Sequence, residues 1–310
     1  MALLRIDYCC LRLTEALDGR VIYDNRIIES FRAVGADVNV IEVDVHRARS
    51  VKIPLWAPEV STEYSERLRN GAKVVVSHEM LIPLALELAP DIFIIHNFFP
   101  SFSWRAWSGF QAYCRLGAEE HFKCAIHRAK NTIVLSARER AEIAFRYGVS
   151  VVYEPPGIQP SIADIVPINL SHIRRSGSAR WYPKRRSLMS ERQIRKWFGS
   201  DIDLGSDSRD LRGFALIEDQ FLSGFKLKLL EHLYNGEFIV SRADLRTELR
   251  GLGISEEGFL FNPSKSLDLE SVRRRFLEEL TDDFIQVRRQ YLESKFSWNS
   301  IAKRIISSYL

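Results

Sequence analysis

The first half of the chain alternates short apolar runs with amphipathic segments. Runs rich in β-branched and aliphatic residues predict buried strands at residues 73–77, 91–95 and 131–134, and a further strand within MALLRIDYCCLRL at the chain start. Apolar residues at helical spacing in NRIIESFRAVG predict a helix that ends at Gly35. Strands that are apolar throughout and are followed by helices are typical of a parallel sheet covered on both faces. The pattern therefore predicts an α/β fold.

The second half repeats this alternation after a proline-rich segment. Four prolines in residues 154–171 mark the best candidate for a linker between two domains. Beyond it the pattern predicts strands at residues 171–179, 201–205, 213–217, 237–241 and 258–262, and helices at residues 185–198, 224–236 and 243–253. The last fifty residues are predicted to be helical. The final helix takes Ser297 as its N-cap and has one apolar face, formed by Trp298, Ile301, Ile305 and Tyr309.

Composition agrees with two ordinary folded domains. The chain has 310 residues, of which 46% are hydrophobic and 27% are charged. No apolar run reaches the roughly 18 residues that a membrane span needs, and the chain start carries Arg5 and Asp7 and lacks a cleavage site, so it does not resemble a signal peptide. The four cysteines, Cys9, Cys10, Cys114 and Cys124, lack metal-binding spacing and fit a reducing cytoplasm.

Positive charge is concentrated in one segment. The net charge is only +4, but IRRSGSARWYPKRR, residues 173–186, holds six cations and no acid. Such a run forms either a solvated face or a site for anions, and the anions could be phosphates or an acidic membrane surface.

Polar residues lie at the carboxyl ends of three predicted strands of the first half. They are Ser77, His78 and Glu79 at the first, His96 and Asn97 at the second, and Ser136 at the third. In parallel sheets, ligands bind beyond the carboxyl ends of the strands. A histidine there could titrate near neutral pH, so His78, Glu79 and His96 are the candidates for a catalytic base. Each could equally be a structural residue that caps its strand.

The helix predicted within GFKLKLLEHLYNG has two distinct sides. Leu227, Leu230 and Tyr234 form its apolar stripe, whereas Gly224, Lys228 and Glu231 fall on another side. A glycine at a helix N-terminus lets an anion approach the unpaired N–H groups, and Lys226 and Lys228 add positive charge there. Glu231, about 10 Å along the axis, could accept hydrogen bonds from two ribose hydroxyls. The alternative is a surface helix with a Lys228–Glu231 pair.

Four segments, which follow one another in the family's order, resemble the GT-B-fold glycosyltransferases, and the family-four-like bacterial polysaccharide enzymes in particular. GFKLKLLEHLYNG with the EFIVS strand resembles their donor-site signature. VLSARERAEIAFRYGVSVVYEPPGI resembles the end of their N-terminal domain, SGSARWYPKRRSL resembles the donor-facing turn of their C-terminal domain, and KFSWNSIAKRIISSYL resembles their closing helix.

The resemblance implies two Rossmann-like domains that face each other across a cleft. Residues 1–157 would form the acceptor domain, residues 170–293 the nucleotide-sugar domain, and residues 294–310 a helix that crosses back to the first domain. The implied activity is transfer of a sugar from a nucleotide-sugar to an acceptor hydroxyl, without a metal or cofactor. The implied donor-binding residues are Gly177, Arg180, Lys184, Gly224, Lys226, Lys228 and Glu231.

The resemblance also implies partners and a location. The acceptor would be a glycan or a lipid-linked glycan, which suits a basic cytoplasmic enzyme in peripheral contact with the inner face of a membrane, acting in polysaccharide or glycoconjugate synthesis. The aromatic-rich segment at residues 96–113 suits either sugar stacking or core packing. Nucleic acid is not expected as a partner.

The chain departs from the family pattern at Ser223. Many retaining members carry a second glutamate at this position, eight residues before Glu231. The second half is also short. These departures leave the stereochemical outcome open and keep a second hypothesis, a nucleotide-binding or scaffold protein without catalysis. The basic segment at residues 173–186 supports a third, a nucleic-acid-binding or nucleic-acid-modifying protein.

Overall fold

The structure, a computed structural model, describes most of the chain. The described residues are 3–12, 19–43, 63–98, 100, 118–159, 164–176, 188–204, 211–219, 227–261 and 268–310. They divide into two units. The first unit comprises the described residues up to Gly157 together with Phe296–Leu310, and the second lies between Ile158 and Lys295.

The first unit is built on a parallel sheet. Its elements in chain order are β1 (Arg5–Leu11), α1 (Gly19–Ala33), β2 (Asp37–Val43), α2 (Glu63–Glu66), β3 (Lys73–Ser77), a 3₁₀ turn (Glu79–Leu81), α3 (Ile82–Leu88), β4 (Ile92–Ile95), α4 (Ala118–Arg128), β5 (Asn131–Val134), α5 (Ala137–Tyr147) and β6 (Val152–Tyr153). The strand order is β2-β1-β3-β4-β5-β6, and every pair is parallel. The carboxyl ends of β3 and β4 are therefore neighbours.

The second unit has a smaller sheet of the same kind. Its elements are β7 (Ile168–Ser176), α6 (Glu191–Phe198), β8 (Arg212–Ile217), α7 (Leu227–Asn235), β9 (Phe238–Ser241), α8 (Arg246–Leu252), β10 (Phe259–Phe261), α9 (Leu269–Glu279) and α10 (Asp282–Phe296). The strand order is β10-β9-β8-β7, again with parallel pairs. Apolar strand residues fill the core, where Phe214, Phe238 and Phe276 pack ring against ring. The parallel α/β architecture predicted from the apolar runs is confirmed in both units.

The last helix, α11 (Trp298–Tyr309), completes the first unit. Its N-cap is Ser297, whose hydroxyl accepts from the Ser300 N–H, as the sequence predicts. Trp298, Ile301 and Ile305 are buried in the same core cluster as β1 and α1. Gly157 lies so close to Trp298 that a Cβ there would be 2.4 Å from the indole ring. Glycine is thus required sterically at this position.

Several predicted elements differ from the structure. The helix expected at residues 185–198 begins only at Glu191, because Ser190 and Gln193 form a capping box that fixes its start. The strand expected at residues 201–205 is a single bridge between His172 and Asp203. The buried face of α7 is wider than the predicted stripe, because it also includes Leu229 and Leu233. Leu227, which is predicted to belong to the stripe, is only half-buried.

Within the described part of the chain, no helix is both long enough and apolar enough to cross a membrane.

Candidate functional site

The carboxyl ends of β3 and β4 bring three predicted residues together. His78 and Glu79 follow β3, and His96 follows β4. All three side chains are buried, and the two imidazole rings are 5.1 Å apart between centroids. This is the edge at which a parallel α/β sheet binds its ligands.

Glu79 is held by N–H donors from the segment after β4. Its Oε2 accepts from the backbone N–H groups of His96 and Asn97, at 3.0 and 3.1 Å, and its Oε1 accepts from Asn97 Nδ2 at 3.0 Å. Burial raises the pKa of the Glu79 carboxyl above its ordinary value, although His96 and the N–H donors act in the opposite direction. Both oxygens therefore serve to shape the segment that carries His96.

His78 has a strained backbone. Its φ of 98° and ψ of 135° lie in a region that L-residues rarely adopt. Its N–H donates to Ile94 O at 2.9 Å, and its Nδ1 accepts from Met80 N at 3.1 Å. Since Nδ1 accepts, the neutral ring carries its proton on Nε2, which lies 3.6 Å from Glu79 Oε1. The lone pair of this imidazole is committed to capping the 3₁₀ turn.

His96 belongs to a buried polar network with Ser77 and Asp24. Ser77 Oγ donates to Asp24 Oδ1 at 2.6 Å and lies 2.9 Å from His96 Nε2. A serine hydroxyl has a single hydrogen, and an ionised carboxylate only accepts. Ser77 must therefore accept from His96 Nε2, which places the ring proton on Nε2 and the lone pair of the neutral ring on Nδ1.

Asp24 was missed at the sequence level. It lies on α1, is fully buried, and also accepts at Oδ1 from the Tyr8 hydroxyl at 2.7 Å. Burial, and next the Asp24 charge, raise the pKa of Tyr8 well above its ordinary value, so Tyr8 remains a donor. A signal was present, because Asp24 falls between Val21 and Ile28 on the apolar stripe of α1. A carboxylate on a buried face is costly unless it is hydrogen-bonded, so it indicates a polar network.

Tyr23 links this network to α11. Its ring meets His96 edge-on at 4.8 Å and Trp298 edge-on at 5.4 Å. Burial raises the pKa of Tyr23, so the buried phenol stays protonated. Its hydroxyl has no hydrogen-bond partner among the residues that the structure describes. The His96 ring is thereby packed against α1.

The second unit holds the other candidate, Glu231 on α7. Its side chain is 33% exposed, and its Oε1 accepts from Arg174 Nη1 at 3.4 Å. Lys228, one turn earlier, is exposed. Arg174 is buried on β7 and also donates through Nη2 to Glu237 Oε2 at 3.0 Å. Glu231 thus presents a partly exposed carboxylate in contact with a buried guanidinium.

The first two cations of the basic segment are neutralised within the fold. Arg174 pairs with Glu237, and Arg175 Nε donates to Glu218 Oε1 at 2.8 Å. Arg175 Nη2 donates in addition to Met189 O at 2.9 Å. These two arginines do not form a solvated cationic face.

The other residues predicted to bind the donor are not among those that the structure describes. Gly177, Arg180, Lys184, Gly224 and Lys226 lie outside the described residues, as does most of the aromatic segment at 96–113. Phe98, within that segment, is described and buried against Phe122 and Tyr147. Among the described residues, no group of three or more His, Cys, Asp or Glu side chains could hold a metal ion.

The fold is that of the GT-B glycosyltransferases, with two Rossmann-like domains, as the sequence resemblance predicts. Sucrose-phosphate synthase from Thermosynechococcus elongatus is similar over 99% of this chain and 98% of its own, with a TM-score of 0.62 and 14% identity. A glycosyltransferase from Rickettsia africae is similar over 100% and 98%, with a TM-score of 0.53 and 10% identity. WaaG, a glycosyltransferase involved in lipopolysaccharide biosynthesis, is similar over 98% and 100%, with a TM-score of 0.50 and 13% identity.

No protein-family model matches the chain, and no curated protein matches its sequence. At these identities the similarity extends to the fold alone.

Proposed function

We propose that the protein is a glycosyltransferase that moves a sugar from a nucleotide-sugar donor to an acceptor hydroxyl. The observation that carries this proposal is the similarity in fold to structures named as glycosyltransferases, which covers nearly the whole of both chains. A fold can host more than one function, and the chemistry of the two candidate sites adds further support.

The second unit supplies the donor chemistry in this proposal. Glu231 accepts hydrogen bonds from the ribose hydroxyls of the nucleotide, since its carboxylate is partly exposed on α7. Lys228, which is exposed on the same helix, contributes positive charge toward the diphosphate. Gly177, Arg180, Lys184, Gly224 and Lys226 are proposed as the other diphosphate-binding residues on the strength of the sequence resemblance. Cations and a helix N-terminus would then neutralise the leaving group without a metal ion.

The first unit supplies the base. Of the three candidates we favour His96, because Ser77 and Asp24 hold its ring on the Nε2 side, so that Nδ1 is the nitrogen that accepts a proton. The acceptor oxygen forms a bond to the anomeric carbon and gives its proton to His96 Nδ1. The bond from that carbon to the phosphate oxygen breaks, and the nucleoside diphosphate leaves with the electron pair. Asp24, 3.7 Å from His96 Nε2, stabilises the resulting imidazolium.

Glu79 and His78 support His96 in this proposal and do not transfer protons. Glu79 has both oxygens occupied by N–H groups of the segment that carries His96. His78 has its Nδ1 lone pair occupied by the Met80 N–H.

We further propose a glycan or lipid-linked acceptor in polysaccharide or glycoconjugate synthesis, at the cytoplasmic face of a membrane. The similarity to WaaG, which is named for lipopolysaccharide biosynthesis, supports this acceptor class.

The test starts with binding. The diphosphates of uridine, guanosine, cytidine and thymidine, and their common sugar conjugates, are screened by thermal shift. A ligand at about a hundred times its Kd should stabilise by roughly 2.7 kcal/mol, which is a shift of a few degrees. Glu231→Ala should abolish the shift. The matched control is Glu270→Ala, since Glu270 is 84% exposed and pairs only over one helical turn with Arg273.

Activity is measured next, as donor hydrolysis and as transfer to a glycan acceptor. His96→Gln should retain nucleotide binding and lose at least about a hundredfold in transfer rate, which is a common contribution of a general base. Nucleotide binding by the wild-type protein with neither hydrolysis nor transfer would favour the non-catalytic module that Ser223 suggests. Binding of DNA or RNA at low salt with no nucleotide binding would favour the nucleic-acid hypothesis instead.

A further inference from the structure

We propose that Arg174 is a positioning residue of the donor site, which fixes the Glu231 carboxylate and thereby sets the preference for ribonucleotides over 2′-deoxyribonucleotides. The inference rests on the proposed function, because it concerns the same donor site. Arg174 lies on strand β7, whereas Glu231 lies on helix α7. In this proposal Arg174 acts through Glu231 and does not contact the nucleotide.

The position of Arg174 is enforced by a buried network. The side chain is 3% exposed and extends from β7 to α7 and to the residue before β9. Nη2 donates to Glu237 Oε2 at 3.0 Å and lies 2.8 Å from His232 Nδ1. His232 Nδ1 is itself in close contact with Glu237 Oε2. A carboxylate only accepts, so Glu237 receives both the Arg174 N–H and the His232 Nδ1–H.

The other arm of the guanidinium points toward Glu231. Nη1 donates to Glu231 Oε1, and Glu231 is the only one of these four side chains with substantial exposure. Because the guanidinium is planar and rigid, fixing Nη2 on Glu237 also fixes the direction of Nη1. The buried Arg174–Glu237 pair thus fixes the position of Nη1, and Nη1 in turn holds Oε1 of the partly exposed Glu231 carboxylate.

This arrangement exceeds what charge neutralisation requires. Glu237, which is as buried as Arg174, already balances the guanidinium charge. A second carboxylate on the same guanidinium adds no further neutralisation, but it holds the Glu231 side chain in one rotamer. A carboxylate held in advance loses less conformational freedom when it accepts two hydroxyl groups, so the gain appears only for a ligand that has both.

The experiment is a titration of each variant with a pair of ligands. The probes are uridine diphosphate and 2′-deoxyuridine diphosphate, with the guanosine and cytidine pairs run in parallel, and calorimetry gives the ratio of the two Kd values. We expect the wild-type protein to prefer the ribonucleotide by about tenfold, the value of one good hydrogen bond to a charged group. Glu231→Gln should reduce the ratio to about one.

Arg174→Met and Arg174→Lys should lower the ratio to about threefold or less while the Kd for the deoxyribonucleotide changes little. The matched control is Arg212→Lys, because Arg212 is a buried arginine on the adjacent strand β8 and donates through Nη2 to Asp282 on α10. It should keep the wild-type ratio. Where Arg174→Met does not fold, Arg174→Lys decides, since a single ammonium cannot hold both glutamates in the same geometry.

A wild-type ratio in a folded Arg174 variant, with the ratio lost in Glu231→Gln, would overturn the inference and leave the proposed function standing. Absence of nucleotide binding by the wild-type protein would overturn both.

Discussion

His78 has a strained backbone, and its side chain also caps the 3₁₀ turn that follows. A positive φ at a non-glycine residue costs about 1–3 kcal/mol, and it persists only where the surroundings impose it. Here the N–H bond to Ile94 O and the Nδ1 cap on Met80 N impose it. The turn that carries Glu79 therefore depends on a conformation that glycine would adopt without cost.

A pair of variants separates the strain at His78 from the cap. His78→Ala keeps the strained φ and loses the cap, whereas His78→Gly loses the cap and relieves the strain. We expect the glycine variant to be more stable than the alanine variant by about 1 kcal/mol or more, although glycine usually destabilises. Denaturant unfolding of both variants measures the difference. Equal stabilities, or a more stable alanine variant, would contradict the strain argument.

The buried thiol of Cys9 makes stability depend on pH at the alkaline end. Burial, assisted by Asp7, raises the pKa of Cys9 to about 12, against roughly 8.5 for an unfolded thiol. The stability that this thiol contributes is therefore fully present below about pH 8.5 and is lost as the pH rises toward 12. The buried tyrosines act in the same direction above about pH 10.

We expect Cys9→Ala to flatten this dependence. Between pH 9 and 11, the free energy of unfolding should fall with pH less steeply in the variant, by up to about 1.4 kcal/mol per pH unit. Denaturant unfolding at three pH values measures the slopes. The exposed Cys124 offers the control, since Cys124→Ala should leave the slope unchanged. Parallel slopes for Cys9→Ala and wild type would show that the thiol is not buried as described.

At the scale of elements, the segment after β6 packs closely against α11. Trp298 packs on Gly157, and Arg304 of α11 donates to Glu154 Oε2 at 2.8 Å. Both contacts lie within the first unit. They fix α11 against the polypeptide that leaves β6.

Gly157→Ala tests this fit. The added methyl would lie 2.4 Å from the Trp298 ring and 2.9 Å from its Cα, so the helix must shift. We expect a loss of about 1–3 kcal/mol of unfolding free energy, the usual cost of overpacking. Trp298→Leu should be destabilising by itself, but the double variant should lose less than the sum of the single losses. Strict additivity in this cycle would mean that the two residues do not contact.

At the scale of the molecule, sequence reasoning succeeded where the evidence is local. β3, β4 and β5 can be identified as buried strands because each contains a short run of aliphatic, mostly β-branched residues, and Ser297 identifies a helix start through its own side chain. The parallel α/β class follows from these elements alone.

The features of the candidate sites that could not be predicted depend on contacts between residues that are far apart in the sequence. Arg174 belongs in sequence to a cationic run, but Glu237, which neutralises it, is 63 residues away. Asp24 and Ser77 are 53 residues apart, so no window could join them to His96. The proton position on His96 follows from that network and could be derived only from the fold.

Because α11 belongs to the first unit but is the last element of the chain, the first unit cannot complete its core until the whole chain has been made. The ribosome makes β1–β6 first, then the whole second unit, and only then Trp298 and the apolar face of α11. At about 5–20 residues per second, the first sheet waits on the order of ten seconds with part of its core uncovered. During translation the core of the nascent first unit is therefore partly exposed, at the residues that the apolar face of α11 covers in the finished protein.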